Sequence, residues 1–203
     1  MFFALEGVDG AGKTTQMRLF CDWIRSEGHE VVECRDPGST RVGDEIRKIL
    51  LDSRDTAIDP TTEMLLYMAA RAQLVDEVIL PALNQHKVVV SDRYLLSNVV
   101  YQGHAGGLDP AAIWRVGQIA TKGLLPNLSL VLDISDDDAA ARMNRPLDRI
   151  EQRGSPFRQA VRRGYLIEAS EDPQSVVVIN AGQDVTSVQL AMRVAAEKVL
   201  KRS

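Results

Sequence analysis

Residues 7–14 read Gly7-Val8-Asp9-Gly10-Ala11-Gly12-Lys13-Thr14, which is the complete pattern G-x-x-x-x-G-K-T. The apolar run Phe2-Phe3-Ala4-Leu5 lies just before this stretch, and a helical pattern opens after it. A phosphate-binding loop needs a strand, a glycine-rich turn and a helix in that order, whereas a chance glycine-rich turn does not. The stretch therefore predicts a site for a nucleoside triphosphate.

The residue types of this loop match the chemical groups of a triphosphate. Glycines at positions 7, 10 and 12 let backbone N–H groups turn toward the β- and γ-phosphates. Lys13 supplies a cation at the same place, and Thr14 offers a hydroxyl to Mg²⁺ at the positive end of a helix. The predicted ATP-binding residues are Gly7, Val8, Asp9, Gly10, Ala11, Gly12, Lys13, Thr14 and Thr15.

Composition limits the classes to which the chain can belong. Its 203 residues, 45% apolar and 26% charged, are enough for a single domain that spans residues 1–203. The net charge of −4 argues against a nucleic-acid partner bound through a basic face. No apolar run approaches the roughly 18–20 residues of a membrane span, and no basic leader precedes the first strand. We therefore expect a cytoplasmic protein without a membrane partner.

Apolar runs of strand length alternate with helical patterns along almost the whole chain. Most runs carry consecutive Val, Ile or Leu, which is typical of strands buried on both faces. The alternation predicts an α/β fold of three layers, with a central five-stranded parallel sheet between helices. The predicted strands are Phe2–Leu5, Glu30–Cys34, Lys87–Ser91, Leu128–Asp133 and Ser175–Ile179. The predicted helices are Gln16–Ser26, Val42–Leu51, Thr61–Leu83, Pro110–Lys122, Asp136–Asn144, Pro156–Ser170 and Val185–Arg202.

Two charged residues, Asp92 and Arg93, follow the third predicted strand directly. Ligands of parallel α/β sheets bind at the C-terminal ends of the strands, so both side chains are expected near the phosphates. Asp92 either binds Mg²⁺ through water or orients Arg93. The alternative is an aspartate that only caps the next turn.

Arginines fall into two groups along the chain. Phosphoryl transfer depends mainly on positioning and on cations opposite the transferring oxygens. The first group is predicted to surround a second phosphate, and the second group lies in a mobile lid, residues 142–156, that closes over the triphosphate and excludes water. The first group is Arg35, Arg41, Arg71 and Arg93; the second is Arg142, Arg145, Arg149 and Arg153.

In combination, these motifs resemble thymidylate kinases of the bacterial type, within the nucleoside-monophosphate kinase family of P-loop proteins. The resemblance covers nearly the whole chain. It implies a P-loop NTPase fold with a helical lid, ATP as co-substrate, Mg²⁺ as cofactor, and a homodimer to which the helix Thr61–Leu83 contributes. The matching segments are Phe3–Thr15, Arg35–Thr40, Leu65–Gln73, Asp92–Asn98 with Tyr101–Gly103, and Leu147–Glu151.

The resemblance also implies roles around the acceptor, dTMP. Asp9 lies near the sugar 3′-hydroxyl and the metal, and Arg93 binds the acceptor phosphate. Tyr67 stacks on the base, Arg71 reaches it, and Tyr101 crowds the 2′ position and so favours deoxyribose. The implied substrate-binding residues are Asp9, Asp36, Pro37, Tyr67, Arg71, Arg93, Ser97, Asn98, Tyr101 and Gln102.

The loop has no basic residue at Val8, Asp9 or Ala11, which is similar to the bacterial arrangement in which the lid supplies the catalytic cation. Arg149 is the first candidate for that cation. The implied metal-binding residues are Thr14, Asp9 and, through water, Asp92. The implied catalytic residues are Lys13, Asp9, Arg93, Asp92, Arg149, Arg145 and Arg153.

Three positions depart from the family pattern. The chain has Asp36-Pro37-Gly38-Ser39 where the family commonly has Glu-Pro-Gly-Gly, Tyr67 where it usually has Phe, and Ala70 where it often has an acid. The Tyr67 ring keeps the π-face that stacking requires. Ser39 is unfavourable if the loop needs a positive φ there.

Together with these features, the resemblance implies an enzyme that phosphorylates dTMP to dTDP with Mg·ATP and so supplies dTTP for DNA synthesis. A first alternative is a related kinase with another acceptor; the arginines favour an acceptor that already carries a phosphate. A second alternative is a nucleotide switch that controls a partner. A guanine-reading Asn-Lys-x-Asp motif is absent, and an arginine-rich lid is typical of transfer.

Overall fold

A computed structural model describes residues 1–52, 57–143 and 148–201. Five parallel strands form one sheet in the order β2-β3-β1-β4-β5, which confirms the predicted central sheet. Every strand begins and ends within one residue of its prediction, because the consecutive Val, Ile and Leu residues mark the buried strands. The strands are β1 Phe2–Glu6, β2 Val31–Arg35, β3 Val88–Asp92, β4 Leu128–Asp133 and β5 Val176–Asn180.

The central strand, β1, brings the glycine-rich loop and the charged end of β3 together. Leu5 is in register with Asp92 of β3 on one side and with Leu130 of β4 on the other. All five residues of β1 are buried. The loop after β1 and Arg93 after β3 therefore leave the sheet side by side, at its C-terminal edge.

Helices cover both faces of the sheet. Phe3 and Leu5 pack into a core with Phe20 on one face, while Phe2 packs with Leu74 on the opposite face. The three-layer prediction is therefore confirmed. The helices are α1 Lys13–Ser26, α2 Arg41–Asp52, α3 Pro60–Leu74, α4 Leu80–Asn84, α5 Leu95–Asn98, α6 Pro110–Thr121, α7 Asp136–Arg142, α8 Ser155–Glu171 and α9 Val185–Leu200.

One helical segment near the site is missing from the sequence-based prediction. After β3 the chain forms α5 and continues through a π-helical segment, Val99–His104. Val99 and Val100 are β-branched and lower the helix propensity, and Tyr94 provides no side-chain cap. Both valines are fully buried, so packing in the core determines this helix.

The long predicted helix Thr61–Leu83 is present, as α3, a π-helical segment Val75–Ile79 and α4 in succession. In the predicted lid, the helix α7 ends at Arg142 rather than continuing to residue 144. A 3₁₀ turn at Glu151–Arg153 then leads into α8. Residues 144–147 lie outside the described part of the chain.

Candidate active site

The glycine-rich loop fits closely against the end of β4 and against α7. A Cβ atom on Gly7 would lie 2.6 Å from the Leu132 carbonyl oxygen, and one on Gly10 would lie 2.3 Å from that of Ala139. Both glycines also have positive φ, +131° and +82°. Only glycine satisfies both conditions, so the loop's shape follows directly from its sequence.

Lys13 begins α1 and lies across the loop. Its Nζ donates to the carbonyl oxygens of Gly7 and Val8, at 3.0 and 2.9 Å, and lies 3.7 Å from Asp9 Oδ1. Burial lowers the pKa of Lys13, as does the nearby Arg93, while Asp9 raises it. The loop thus holds a buried ammonium group at the positive end of a helix, as an anion site requires.

A cleft runs from this loop to the end of β3; we call it the donor cleft. It includes six residues of the predicted ATP-binding loop, together with Asp92 and Arg93. Arg142 of the lid also lines it and donates from Nη1 to the Ala181 carbonyl oxygen at 3.1 Å. The loop residues that line the donor cleft are Asp9, Gly10, Gly12, Lys13, Thr14 and Thr15.

Two groups in the donor cleft suit Mg²⁺. Asp92 Oδ1 is buried and has no hydrogen-bond partner within the described residues, and Thr14 lines the same cleft. No cluster of three or more His, Cys, Asp or Glu side chains able to hold a metal occurs in residues 1–52, 57–143 and 148–201. Mg²⁺ usually takes one or two carboxylates and completes its shell with water and phosphate oxygens. The residues therefore fit Mg²⁺ bound together with a nucleotide.

A second cleft, the acceptor pocket, adjoins the donor cleft. All ten predicted substrate-binding residues line it. Asp9, Asp36, Arg47 and Arg93 line both clefts, so these four mark the place where the two ligands meet. The predicted residues in its wall are Asp9, Asp36, Pro37, Tyr67, Arg71, Arg93, Ser97, Asn98, Tyr101 and Gln102; Arg47, Leu51, Asp148 and Ile150 complete the wall.

Arg93 stands between the two clefts. Its Nη2 donates to Asp9 Oδ1 at 3.0 Å, and its Nη1 donates to Ser97 Oγ and Tyr165 OH, both at 3.2 Å. The guanidinium carbon lies 5.0 Å from the centre of the Tyr101 ring. The head group is thus held from several directions, and it faces the cleft where a phosphate would arrive.

A buried hydrogen-bond chain runs along the acceptor pocket, from Asp36 at the junction with the donor cleft to Glu63. Arg71 donates from Nε to Asp36 Oδ2 at 2.5 Å and from Nη1 to Asn98 Oδ1 at 3.0 Å. Asn98 Nδ2 donates to Gln102 Oε1 at 2.6 Å, and Gln102 Nε2 donates to Glu63 Oε1 at 2.8 Å. Burial raises the pKa of Asp36, although the Arg71 guanidinium acts to lower it. This hydrogen-bond chain fixes which amide atoms of Asn98 and Gln102 face the pocket.

The lid arginines converge on the last member of this chain. Arg149 Nη2 and Arg153 Nη2 both donate to Glu63 Oε2, the latter at 2.8 Å, and Arg149 Nε donates to the Leu50 carbonyl oxygen at 2.8 Å. Among the described side chains, neither arginine lines the donor cleft. Arg145 lies outside the described residues. The catalytic role of the three arginines stays a prediction.

The first group of arginines divides between the two clefts. Arg93 lines both clefts, Arg35 lines the donor cleft, and Arg71 lines the acceptor pocket, where it is bound to Asp36. Arg41 lines neither cleft, so the structure does not bring it together with the other three, whereas Arg47 of the same helix lines both clefts. The four arginines were grouped by charge alone, and charge does not indicate which face of a helix or strand a residue occupies.

Three residues of the site were missed by the sequence analysis: Glu6, Arg47 and Glu63. Arg47 lies on the inner face of α2, and its Nη1 donates to the Pro37 carbonyl oxygen at 2.9 Å. It shares that face with Gly43 and Leu50, at helical spacing, so a cation within the buried stripe was the available signal. Glu6 and Glu63 lie in a strand and a helix whose patterns show no motif.

The departures at Ser39 and Tyr67 are accommodated. Ser39 has a φ of +64°, and its Oγ accepts a hydrogen bond from the Arg35 backbone N–H at 2.9 Å. The Tyr67 ring lines the acceptor pocket, and burial raises the pKa of its hydroxyl. Ala70 is fully buried, so it presents no group to the pocket.

Known proteins resemble this chain over nearly its whole length. The family model described as thymidylate kinase matches residues 5–191. A thymidylate kinase of Caldanaerobacter subterraneus subsp. tengcongensis is 43% identical over 98% of this chain and 96% of the relative. That of Pelotomaculum thermopropionicum is 45% identical over 98% of this chain and 94% of the relative.

A solved structure gives the same result for the fold. The crystal structure of thymidylate kinase from Ehrlichia chaffeensis superposes with a TM-score of 0.76 at 29% identity, covering 99% of this chain and 98% of that one.

Within the described ranges, no helix has both the length and the apolar character needed to cross a membrane.

Proposed function

The chain belongs to the thymidylate kinase family, and from this premise we propose how its residues bind the two substrates and promote transfer between them. Its activity is the phosphorylation of dTMP to dTDP with ATP as co-substrate, which supplies dTTP for DNA synthesis. One observation carries the proposed roles: the donor cleft and the acceptor pocket meet at Asp9 and Arg93.

On the donor side, we assign the triphosphate to the glycine-rich loop. The backbone of residues 7–15 and the Lys13 ammonium group would bind the β- and γ-phosphates, since both stand at the N-terminus of α1. Thr14 and Asp92 would hold Mg²⁺, which supplies charge neutralisation at the phosphates when bound. The unpartnered Asp92 Oδ1 supports this assignment.

On the acceptor side, Arg93 binds the phosphate of dTMP, and Arg47 assists it because it lines the same two clefts. Asp9, which accepts from Arg93 and lines both clefts, would lie near the acceptor's sugar. Tyr67 stacks on the base, and Asn98 and Gln102 present amide groups to its edge. Holding the acceptor phosphate in line with the donor accounts for most of the catalysis in this class of reaction.

The lid arginines act in a further step. Arg149 and Arg153 contact Glu63, so either of them must leave that carboxylate to reach a transferring phosphoryl group. Arg149 remains our first candidate for the cation, and Arg145 and Arg153 are the others. A lid cation that arrives only with both substrates also limits the hydrolysis of ATP by water.

We further propose that residues 1–203 form one domain and that two copies form a homodimer in the cytoplasm. Exposed apolar side chains occur on the neighbouring helices α2, α3 and α6, at Ile49, Leu65 and Ile119. Such residues on adjacent helices suit a helical interface. Light scattering at micromolar concentration is expected to give about twice the 22.4 kDa of one chain; a mass of one chain contradicts the dimer.

The acceptor assignment is tested by an ADP-release assay with Mg·ATP and five acceptors: dTMP, dUMP, dCMP, AMP and thymidine. We expect dTMP to give the highest kcat/KM and thymidine to give almost none, because thymidine lacks the phosphate that Arg93 and Arg47 would bind. Efficient turnover of thymidine contradicts those two roles. Preference for another monophosphate keeps the roles and overturns the assignment of the base pocket.

A further inference from the structure

Glu6, the last residue of β1, carries a carboxyl group that the proposed mechanism does not use. Its side chain is fully buried, and it lies directly before the glycine-rich loop. A buried carboxylate is costly unless it is paired with a charge and hydrogen-bonded. Its partners therefore indicate what the carboxylate does in the fold.

One oxygen of Glu6 holds the backbone next to Arg93. Oε1 accepts a hydrogen bond from the Tyr94 N–H at 2.9 Å. Arg93 itself has a φ of +67°, a strained conformation for a non-glycine residue that persists only where its surroundings hold it. Its N–H donates to the Leu5 carbonyl oxygen at 2.9 Å, and its carbonyl oxygen accepts from Ser91 Oγ at 2.6 Å. Glu6 thus completes the fixation of this backbone.

The other oxygen of Glu6 holds the head group of the same arginine. Oε2 accepts from Ser97 Oγ at 2.5 Å and from Tyr165 OH at 3.1 Å. These are the two hydroxyls that receive hydrogen bonds from Arg93 Nη1. A guanidinium group only donates, so each hydroxyl oxygen accepts from Arg93 and its single hydrogen can turn toward the carboxylate.

We propose that Glu6 is a positioning residue for Arg93: one carboxyl oxygen holds the arginine's backbone turn, and the other holds its guanidinium through two hydroxyls. The inference rests on the proposed role of Arg93 as the group that binds the acceptor phosphate. Glu6 lines neither the donor cleft nor the acceptor pocket in the described structure, so its effect on the acceptor is indirect.

With both hydroxyls turned toward Oε2, Glu6 only accepts, which is the role of its ionised form; the two hydroxyls also lie 2.8 Å apart, so one of them can donate to the other instead. Burial raises the pKa of Glu6 to about 7, although Ser97, Arg93 and Tyr165 act to lower it. The charged and titratable groups that face Glu6 are Arg93 after β3, Lys13 on α1 and Tyr165 on α8. Protonation at lower pH puts a hydrogen where the carboxylate accepts one, so Arg93 loses part of its support below about pH 7.

The test compares Glu6→Gln with Glu168→Gln in the full chain. Glutamine keeps the volume, but its N–H₂ group then faces a donor in either orientation of the amide, the two hydroxyls in one and the Tyr94 N–H in the other. We expect the KM for dTMP to rise roughly tenfold while the KM for ATP changes less than about twofold. Glu168 is the control because it is also buried and hydrogen-bonded, to His104 and Trp114, and it lines neither the donor cleft nor the acceptor pocket, although its helix α8 also carries Tyr165.

A pH profile separates positioning from general damage to the fold. From pH 8 to pH 6, kcat/KM for dTMP of the unaltered chain is expected to fall relative to that of Glu6→Gln. The titration of the dTMP phosphate cancels in this ratio because both proteins use the same substrate. Equal changes in both KM values, or a ratio independent of pH, overturn the proposal.

If Glu6→Gln does not fold, Tyr165→Phe replaces it, because it removes one linking hydroxyl and leaves the ring in place. A rise of about threefold in the KM for dTMP alone is then expected, and no change overturns the proposal. The variant Arg93→Ala distinguishes a failure of the proposed role of Arg93 from a failure of the proposed role of Glu6 alone. If Arg93→Ala binds dTMP normally, the proposed function of Arg93 fails; if it is impaired while Glu6→Gln is not, only the role of Glu6 fails.

Discussion

The donor loop and the acceptor pocket are adjacent, yet they are built in different ways. The donor loop is one continuous stretch, residues 7–15, and Lys13 bonds to carbonyl oxygens only five and six residues away. In the acceptor pocket, Arg71 bonds to Asp36 across 35 residues and to Asn98 across 27. The loop is therefore a local structure, whereas the polar groups of the pocket belong to the core of the fold.

This difference has an energetic consequence. Removal of the Lys13 side chain takes away a group that acts on the ligand and leaves the core intact, whereas Gly7 and Gly10 of the loop have no room for a side chain. A substitution in the pocket also leaves a buried charge or amide without its partner, which destabilises the fold. Function and stability should therefore separate in the donor loop and remain coupled in the acceptor pocket.

The largest effect is expected for Lys13→Ala. We expect kcat to fall on the order of 10³-fold, because a cation at the transferring phosphates is lost. The melting temperature should change little, since the carbonyl oxygens of Gly7 and Val8 become accessible to water. Steady-state kinetics and thermal denaturation measure the two quantities, with Lys87→Ala, at a half-buried lysine outside both clefts, as the control. A large drop in melting temperature would show that the loop is not independent of the core.

The next effect tests the coupling in the pocket. Arg71→Met leaves the buried Asp36 carboxylate without its charge partner, which costs about 3 kcal/mol or more. For a domain of this size that corresponds to a decrease of roughly 6–12 °C in melting temperature.

The matched control for Arg71 is Arg25→Met, which breaks an exposed ion pair with Glu33 and should cost less than about 1 kcal/mol. The double variant Arg71→Met/Asp36→Leu should regain part of the lost stability, but not dTMP binding. Equal losses in Arg71→Met and Arg25→Met would contradict the coupling.

A smaller effect is expected for Glu63→Gln, which alters the end of the pocket's hydrogen-bond chain. The carboxylate fixes the orientation of the Gln102 amide, and an amide in its place no longer does so. We expect the ratio of kcat/KM for dTMP to that for dCMP to fall about tenfold, because the two bases differ in donors and acceptors.

Glu45→Gln, at an exposed ion pair with Lys48, serves as the control for Glu63. An unchanged dTMP to dCMP ratio in Glu63→Gln would show that Glu63 acts only on the lid arginines.

The smallest effect concerns Ser39. Ser39→Ala keeps the unfavourable positive φ and loses the hydrogen bond from the Arg35 N–H, so it should cost about 1 kcal/mol. Ser39→Gly loses the same hydrogen bond but relieves the backbone, so it should be more stable than Ser39→Ala. Urea denaturation measures both. If Ser39→Gly is the less stable variant, backbone strain does not limit this turn.

The sequence-based predictions were accurate where the structure depends on neighbouring residues and incomplete where it depends on contacts between distant ones. The five strands were placed within one residue because runs of consecutive apolar residues mark most of them. All ten implied acceptor residues line one pocket, yet these came from a resemblance rather than from spacing. The helix over residues 95–104 was missed because burial of Val99 and Val100 outweighs their low helix propensity.

By itself, the sequence determined the α/β sheet, the donor loop and the place of Arg93 at the end of β3. Those features depend on neighbouring residues: glycines that allow positive φ, and apolar runs that form buried strands. Only the tertiary structure decided that Arg47 rather than Arg41 faces the clefts, that Glu63 receives the lid arginines, and that Glu6 supports Arg93. Each of these contacts joins residues far apart in the chain, and no local pattern specifies which buried charge meets which partner.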